Sequence, residues 1–457
     1  MSSPQTLAPP RSRLRRPPDR WWRGTAPLFA LLAWAGLAVA LLVWWRDTPP
    51  DSIDNRGELF VHAGRITGLV AGYVLLVQVL LRSRVGFVER LVGTERIARW
   101  HRELTPVLLV AVLAHAALIV VGYALVGRKT LVAEVDVLLA EYEDTTSALV
   151  ATGILIAVGL LAVRVVRAVL PYELWKLLHT ASYLVLLLSY GHQFANGQQL
   201  FRPGFGRYYW MFLYVGVVGC LIWGRVVAPL RLNLRHQFRV AEVVPESSTV
   251  TSIYLTGNEL REAALAGQFY RWRFLTPGLW TQAHPFSLSA ATRPDWLRLT
   301  VKTVGSHTAR LRRLRPGVRV WAQGPMGWFT ASHRTRNRAL LIAAGIGIAP
   351  VRALLEELPL WTVVIYRART ADDVVLREEL DRIAEERNAT IWYVLGRRTD
   401  PAPRALLTGP GILQLVPDVA RRDVYICGPR GFVEATRAAV RQAGVRRRQI
   451  HDTIFEF

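Results

Sequence analysis

The sequence predicts a multi-domain protein: a six-helix transmembrane bundle, then an antiparallel β-barrel, then an α/β domain built on a parallel sheet. Three observations predict it. Hydrophobic residues make up 51% of the 457-residue chain, a high share for a soluble protein, and they concentrate before residue 230. From 232 to about 329, short β-branched or alternating stretches are separated by turn residues. From 337 onward the pattern changes to strands alternating with helices. The expected divisions are a disordered basic tail at 1–24, the bundle at 25–230, the barrel at 231–332 and the α/β domain at 336–457.

Six segments approach the roughly 20 apolar residues that cross a bilayer. They lie near 27–45, 59–81, 104–126, 148–170, 174–194 and 208–230. The first contains an Ala38-Val39-Ala40 run that resembles a cleavage site, but its apolar stretch continues to Trp45, which marks a retained span. Charge sets the orientation. The tail RSRLRRPPDRWWR and the loops at 82–103 and 164–176 are basic, whereas the loop at 127–146 carries Glu134, Asp136, Glu141, Glu143 and Asp144. The basic loops alternate with the others, so both termini are expected in the cytoplasm of a cell whose plasma membrane holds the bundle. The formal net charge is +23, yet lysine stands only at Lys129, Lys176 and Lys302. The arginines flank apolar spans, which favours a lipid bilayer over nucleic acid as the partner. Cys220 and Cys427 lie far apart, with no disulfide framework and no zinc spacing.

The stretch HTASYLVLLLSYGH carries His179 and His192 at its ends, and the third span carries His101 and His115 in the same way. Both spans run in the same direction, so His101 matches His179 in depth and His115 matches His192. Fourteen helical residues rise about 21 Å and thirteen about 20 Å. Two haems, each held by one histidine from each helix, would satisfy all four. His101 and His115 share a helix face; His179 and His192 fall about 140° out of phase on a straight helix, so tilt, local unwinding or a helix end must make up the difference. A single histidine would read as a satisfied polar residue at a span end. Four at paired depths favour ligands, because intramembrane ionisable groups are costly and usually functional. Two axial imidazoles leave no open position on the iron, which suits electron transfer. His62 and Arg65, at i and i+3 in the second span, place Arg65 either on a haem propionate or at the lipid interface as a snorkelling charge.

In the barrel region, HPFSLSA (284–290) offers a hydroxyl and backbone amides beside a proline-fixed strand, a setting for a flavin ring edge. VGSHTARL (304–311) opens a helix whose first amides bind phosphate. Read alone, each motif is better explained as a plain turn. Further on, RALLIAA is a buried strand followed by AGIGIAP and a helix. Gly345 and Gly347 let the backbone turn and approach a pyrophosphate, and Pro350 suits a first helical turn. DVYICGP ends a later strand. Cys427 is expected as a contact residue, not a nucleophile. Arg367 and Arg397 follow neighbouring strands, where guanidinium groups reach a 2′-phosphate. NADPH is therefore expected over NADH, with NADH still possible. Phe455 and Phe457 share one side of the last extended segment, which suits edge-strand packing.

The order of these pieces, a six-span bundle with paired histidines, then HPFS, GSHT, GIGIAP, CGP and a terminal aromatic, resembles the NADPH oxidase and ferric reductase superfamily, in a bacterial form with a ferredoxin-reductase-like second half. The resemblance spans about residues 58–457. It implies two b-type haems held by His101 with His179 and by His115 with His192. It implies that His284, Pro285, Phe286 and Ser287 contact FAD, that Gly305 and Thr308 lie at its phosphates, and that Phe457 covers the flavin ring. Gly345, Gly347 and Pro350 would then hold the nicotinamide cofactor, with Cys427, Gly428 and Pro429 near its ring. The expected activity is an NAD(P)H-dependent transmembrane oxidoreductase that passes electrons through FAD and the haems to oxygen, giving superoxide, or to ferric iron. The alternatives are a metal-chelate reductase without oxidase activity, or a haem redox subunit or sensor serving a partner protein. One departure bears on the acceptor: oxygen-reducing members carry a further histidine one turn beyond the outer ligand of the third span, and here that position is Ile119. His62 is a candidate substitute from the second span. No catalytic triad or acid–base pair is expected.

Overall fold

The apolar N-terminal half folds as helices. The structure, a computed structural model, describes residues 25–48, 53–163, 170, 172–197, 200, 203–397 and 399–455. The tail expected to be disordered, at 1–24, and Phe457 both lie outside the described residues. The chain divides into two units, one ending at Ala228 and the other beginning at Pro229.

The first unit contains α1 (Thr25–Asp47), α2 (Arg56–Arg82), α3 (Gly86–Val92), α4 (Thr94–Gly127), α5 (Leu131–Glu141), α6 (Thr145–Leu161), α7 (Tyr172–Thr180), α8 (Ser182–Asn196) and α9 (Phe205–Ile222). A π turn, Trp223–Val227, and α10 (Ala228–His236) follow. Among the described residues, four helices are long and apolar enough to cross a membrane: Ala26–Asp47, Arg56–Arg82, Arg96–Gly127 and Phe205–His236. The pair α5 and α6, bent by 114°, makes a fifth if counted as one span. Two departures from the sequence expectation have local causes. The acidic 127–146 segment is not a loop throughout: it holds α5, capped by Thr130, whose hydroxyl accepts from Ala133 N at 3.3 Å. The fifth expected span is broken at Ala181 into helices of nine and fifteen residues. Of the fourth, α6 ends at Leu161, and 164–169 lie outside the described residues.

Glycine sets the closest packing in this unit. α2 carries Gly64, Gly68 and Gly72 at four-residue spacing, the small-residue pattern that lets membrane helices approach closely. A Cβ on Gly57 would lie 3.0 Å from Gly122 O, and one on Gly64 would lie 2.9 Å from the Ile119 side chain. α2 and α4 are thus held backbone to backbone.

The second unit begins with two three-stranded antiparallel sheets. One has the order β1-β2-β5 (Arg239–Pro245, Val250–Thr256, Leu297–Lys302); the other has the order β4-β3-β6 (His284–Ser287, Phe269–Phe274, Val320–Met326). Bridges Arg239↔Arg319 and Leu288↔Leu299 join the two sheets at both edges. Between them sits an apolar core that includes Phe238, Tyr270, Trp272 and Phe274, each at most 2% exposed. The short helix α11 (Ser306–Leu311) follows β5.

The rest is a five-stranded parallel sheet, β7 (Ala339–Ala344), β8 (Val363–Ala368), β9 (Thr390–Leu395), β10 (Asp423–Gly428) and β11 (Ile450–Ile454), with the order β11-β10-β7-β8-β9. Its helices are α12 (Ile348–Glu357), α13 (Arg377–Arg387), α14 (Pro401–Leu406), α15 (Gly409–Leu415) and α16 (Arg430–Gln442). Numbered within this sheet the order is 3-2-1-4-5, the dinucleotide-binding arrangement, with its switch point between β7 and β10.

Candidate functional site

The four histidines of the first unit come together in two pairs. The ring centroids of His101 on α4 and His179 on α7 are 6.2 Å apart, and those of His115 on α4 and His192 on α8 are 6.3 Å apart. The break after His179 supplies part of the missing helical phase. Ala181 N bonds Leu178 O at 3.0 Å and Leu184 N bonds Ala181 O at 2.9 Å, both three residues back. Such a turn advances about 120° per residue against about 100° in an α-helix. Each extra increment therefore closes part of the shortfall.

Each pair has its own support. Trp175 stacks on His179 at 5.0 Å. Gln78 Nε2 donates to His101 O at 3.0 Å and to Thr105 Oγ1 at 3.2 Å. The Nδ1 atoms of His101 and His179 are buried without a hydrogen-bond partner among the described residues. His115 Nδ1 lies 2.7 Å from Gly64 O. A carbonyl only accepts, so this contact puts the proton on Nδ1 and leaves Nε2 as the basic nitrogen. Gly68 makes room for the ring: a Cβ there would lie 2.7 Å from His115 Nδ1. Asn196 Nδ2 donates to Glu143 O at 2.6 Å and lies 3.3 Å from His192 Nδ1.

A cavity of about 380 Å³ opens beside the His115–His192 pair. Its walls are mostly apolar, and Arg65, Gly68, Tyr123 and Gln193 also line it. Ile119 lines it as well, one helical turn beyond His115. His62 is buried at 7% exposure, its ring 5.9 Å from that of Trp44.

In the second unit, β4 presents HPFS at the edge of its sheet, paired with β3, with Trp272 Nε1 donating to Phe286 O at 3.0 Å. Pro285 is exposed, His284 and Phe286 are half-buried, and Ser287 is buried. The rings of His284 and Phe286 are 6.4 Å apart and stacked. The Thr308 hydroxyl is committed to its own turn: it accepts from Val304 N at 2.9 Å and Gly305 N at 3.1 Å. Sequence reading gave His307 no role. Its ring lies 3.8 Å from that of His284, and both its nitrogens are buried without a partner among the described residues. Burial, then the neighbouring His284 and Arg310, pushes its pKa down to about 4.

At the switch point, β7 ends in Gly345, whose φ of +53° favours glycine. Gly347 touches the end of β10: a Cβ would lie 2.4 Å from Cys427 O. Pro350 is buried in the first turn of α12. Gly428 packs against Ala344 and Phe432, and Pro429 caps α16. Cys427 is fully buried, and burial pushes its thiol well above the usual range. Phe455 N donates to Gly428 O at 3.0 Å, which carries the chain end past this same point. Arg367 lies near the end of β8, its Nη2 3.4 Å from Gly396 O, and exposed Arg397 follows β9. The structure thus brings two sets of expected residues to the ends of adjacent parallel strands: 345–350 with 427–429, and Arg367 with Arg397.

The comparisons divide the chain in the same way. Residues 67–190 match the family described as ferric reductase like transmembrane component, and 341–438 match the oxidoreductase NAD-binding domain. Among curated proteins, NADH oxidoreductase HCR of Escherichia coli (strain K12) is 32% identical over 165 residues, 34% of this chain and 48% of that protein. The ferredoxin reductase component of the 3-ketosteroid-9-alpha-monooxygenase of Mycolicibacterium smegmatis is 30% identical over 234 residues, 48% of this chain and 65% of that one. A flavohemoprotein of Xylella fastidiosa is 25% identical over 48% of this chain and 58% of its own length. The chain thus spans about half to two-thirds of the length of these relatives. Among solved structures, the FAD/NAD-binding domain of a nitric oxide dioxygenase from Vibrio cholerae aligns at 22% identity and a TM-score of 0.41, over 48% of this chain and 98% of that one. The chain thus joins a ferric-reductase-like transmembrane component to an oxidoreductase NAD-binding domain.

Proposed function

We propose that this protein carries electrons from cytoplasmic NADPH, or NADH, through FAD and two b-type haems to an acceptor on the outer side of the plasma membrane, with six spans and both termini inside. The single observation that carries the haem reading is the spacing of the histidine pairs. An iron–nitrogen bond of about 2 Å and about 1.1 Å from nitrogen to ring centre, on both sides, would put two imidazoles that share one iron about 6.2 Å apart. The observed separations are 6.2 and 6.3 Å. The cavity beside the second pair falls within the roughly 300–1,000 Å³ of cofactor pockets. When bound, FAD turns a two-electron donor into a one-electron source and the haems pass single electrons.

The chain's own residues do the rest. His101 with His179, and His115 with His192, would each hold one haem, whose chemistry when bound is single-electron transfer. Gly64 O holds the Nδ1 proton of His115 and so keeps Nε2 for iron. The apolar walls exclude water, and Arg65 offers the cavity a guanidinium for a propionate or an anionic acceptor. In the second half, the two bridged sheets serve as the flavin barrel. His284, Pro285, Phe286 and Ser287 line the flavin edge, with Phe457 as a cover. Gly305 and Thr308 shape the phosphate turn through the backbone amides next to it. The buried nitrogens of His307 have no partner among the described residues, and a polar ligand reaching them would satisfy them. Gly345, Gly347 and Pro350 let the nicotinamide cofactor approach the backbone, Cys427, Gly428 and Pro429 flank its ring, and Arg367 and Arg397 reach the 2′-phosphate. Ile119 favours ferric or another metal chelate as the acceptor over oxygen.

An acceptor panel on the purified, haem- and FAD-loaded chain tests this. NADPH consumption sustained by ferric chelate alone is expected, with superoxide measured directly in parallel. No turnover with either acceptor until a partner protein is added would replace this reading with that of a redox subunit.

A further inference from the structure

Two residues beyond Ser287, past the end of β4, is Ser289; two residues beyond Pro350 on α12 is Arg352. The chain ties these two points together with buried charge. Arg298 on β5, 1% exposed, donates from Nη1 and Nη2 to the two carboxylate oxygens of Glu379 on α13, at 2.7 and 2.8 Å. The same guanidinium donates to Ser289 O at 3.0 Å and Ser289 Oγ at 3.1 Å. Arg352, 4% exposed, donates from Nε to Glu379 Oε2 at 2.8 Å and lies 3.4 Å from Ser289 O. One turn further along α12, Glu356 pairs with Arg352 at 2.8 Å and Arg293 at 2.9 Å, and accepts from Ala291 N at 2.6 Å. Thr300 donates to Ser289 Oγ at 2.8 Å and lies 2.9 Å from Ser252 Oγ, which closes the network inside the barrel.

Such a cluster is a poor source of stability. Buried ion pairs give back in attraction about what they lose in desolvation, and apolar replacements are often neutral. A two-pronged guanidinium–carboxylate contact does fix geometry, because its paired hydrogen bonds tolerate little rotation. We infer that Arg298, Glu379 and Arg352 form a latch that sets the flavin strand and the nicotinamide loop at the separation that hydride transfer requires. All three are positioning residues, and none needs to touch a cofactor. The latch rests on the proposed function, in which a hydride, two electrons with one proton, leaves the nicotinamide, oxidising it, and reduces the flavin. Hydride transfer is steep in distance: a misplacement of about 1 Å costs on the order of 100-fold.

The test uses the full chain loaded with FAD and haem. A triple variant, Arg298→Met with Glu379→Leu and Arg352→Met, removes the charge as a set and leaves no unpaired ion. Three quantities are read: FAD per chain, the charge-transfer absorbance formed when NADP⁺ binds the oxidised flavin, and the anaerobic single-turnover rate of flavin bleaching against NADPH concentration. The expected result is unchanged FAD content and thermal midpoint, a weakened charge-transfer band, and a limiting rate reduced about 10- to 100-fold at an unchanged half-saturating concentration. Glu379→Gln, which keeps the shape and removes the charge, is read in the same way and decides the matter if the triple variant does not retain FAD. A wild-type limiting rate and band in the variant would overturn the latch, as would a rate loss accounted for by weaker NADPH or FAD binding. Failure of the wild-type chain to bleach its flavin with either NADPH or NADH would instead refute the proposed function.

Discussion

At the scale of single residues, the most exacting contact in the membrane half is that of Gly68 with His115. The imidazole occupies the space a side chain would fill, and its position decides where Nε2 points. A Cβ 2.7 Å from the ring cannot be accommodated without moving helix or ring, since a helix backbone is the less yielding partner. Gly68→Val is expected to lower haem content from two per chain to one, read by pyridine-haemochrome titration against FAD. Gly153→Val, where nothing lies within 4 Å of an added Cβ, is expected to retain two. Loss of both haems, or retention of both in Gly68→Val, would separate Gly68 from ligation. The four histidines were legible because few ionisable groups stand inside apolar spans, and depth alone pairs them. The Gly64-x₃-Gly68-x₃-Gly72 pattern was equally visible and went unread: it marks where α4 approaches, and so where the His115 ring lies. Arg298 and Arg352 were not legible. Arginine is abundant throughout the chain, and their shared carboxylate lies 81 and 27 positions away.

At the scale of elements, the break between α7 and α8 does what a continuous helix does not. It lets two histidines thirteen residues apart meet two others fourteen apart on α4. One alanine inserted after Ala181 rotates His192 by about 100° relative to His179. The insertion is expected to leave one haem per chain. In the proposed assignment His192 is the displaced ligand, so adding His192→Leu to the insertion should change the haem count no further. A chain with the insertion and both haems would place the phase correction elsewhere. The break was foreseen only as a phase deficit, because periodicity reports that a helix cannot be straight but not where it bends. The helix α5 was missed for a different reason. Leu131, Val135, Leu138 and Leu139 recur at helical spacing, but the acidic residues among them were weighed for their charge and not for their period. The strands of the second half were easier to place. Their β-branched runs end in glycine or proline, and the parallel order followed from helices alternating with them.

At the scale of the molecule, each half is arranged for one kind of transfer. The nucleotide sheet brings Gly347 against Cys427 at its switch point, where a dinucleotide lies across the strand ends. The helical unit stacks two histidine pairs about 21 Å apart along α4, the rise of its fourteen residues. Neither half alone links a reduced nicotinamide to the far side of a membrane; the sequence joins them in one chain. The central claim is therefore electronic continuity from nicotinamide to two doubly ligated haems. It is tested most directly by anaerobic addition of NADPH to the purified chain, with the flavin and haem spectra followed together and haem counted per FAD. The account predicts two low-spin haems per FAD, both reduced after the flavin and neither reduced when FAD is removed. One haem per chain, or a flavin that bleaches while the haems stay oxidised, would contradict it.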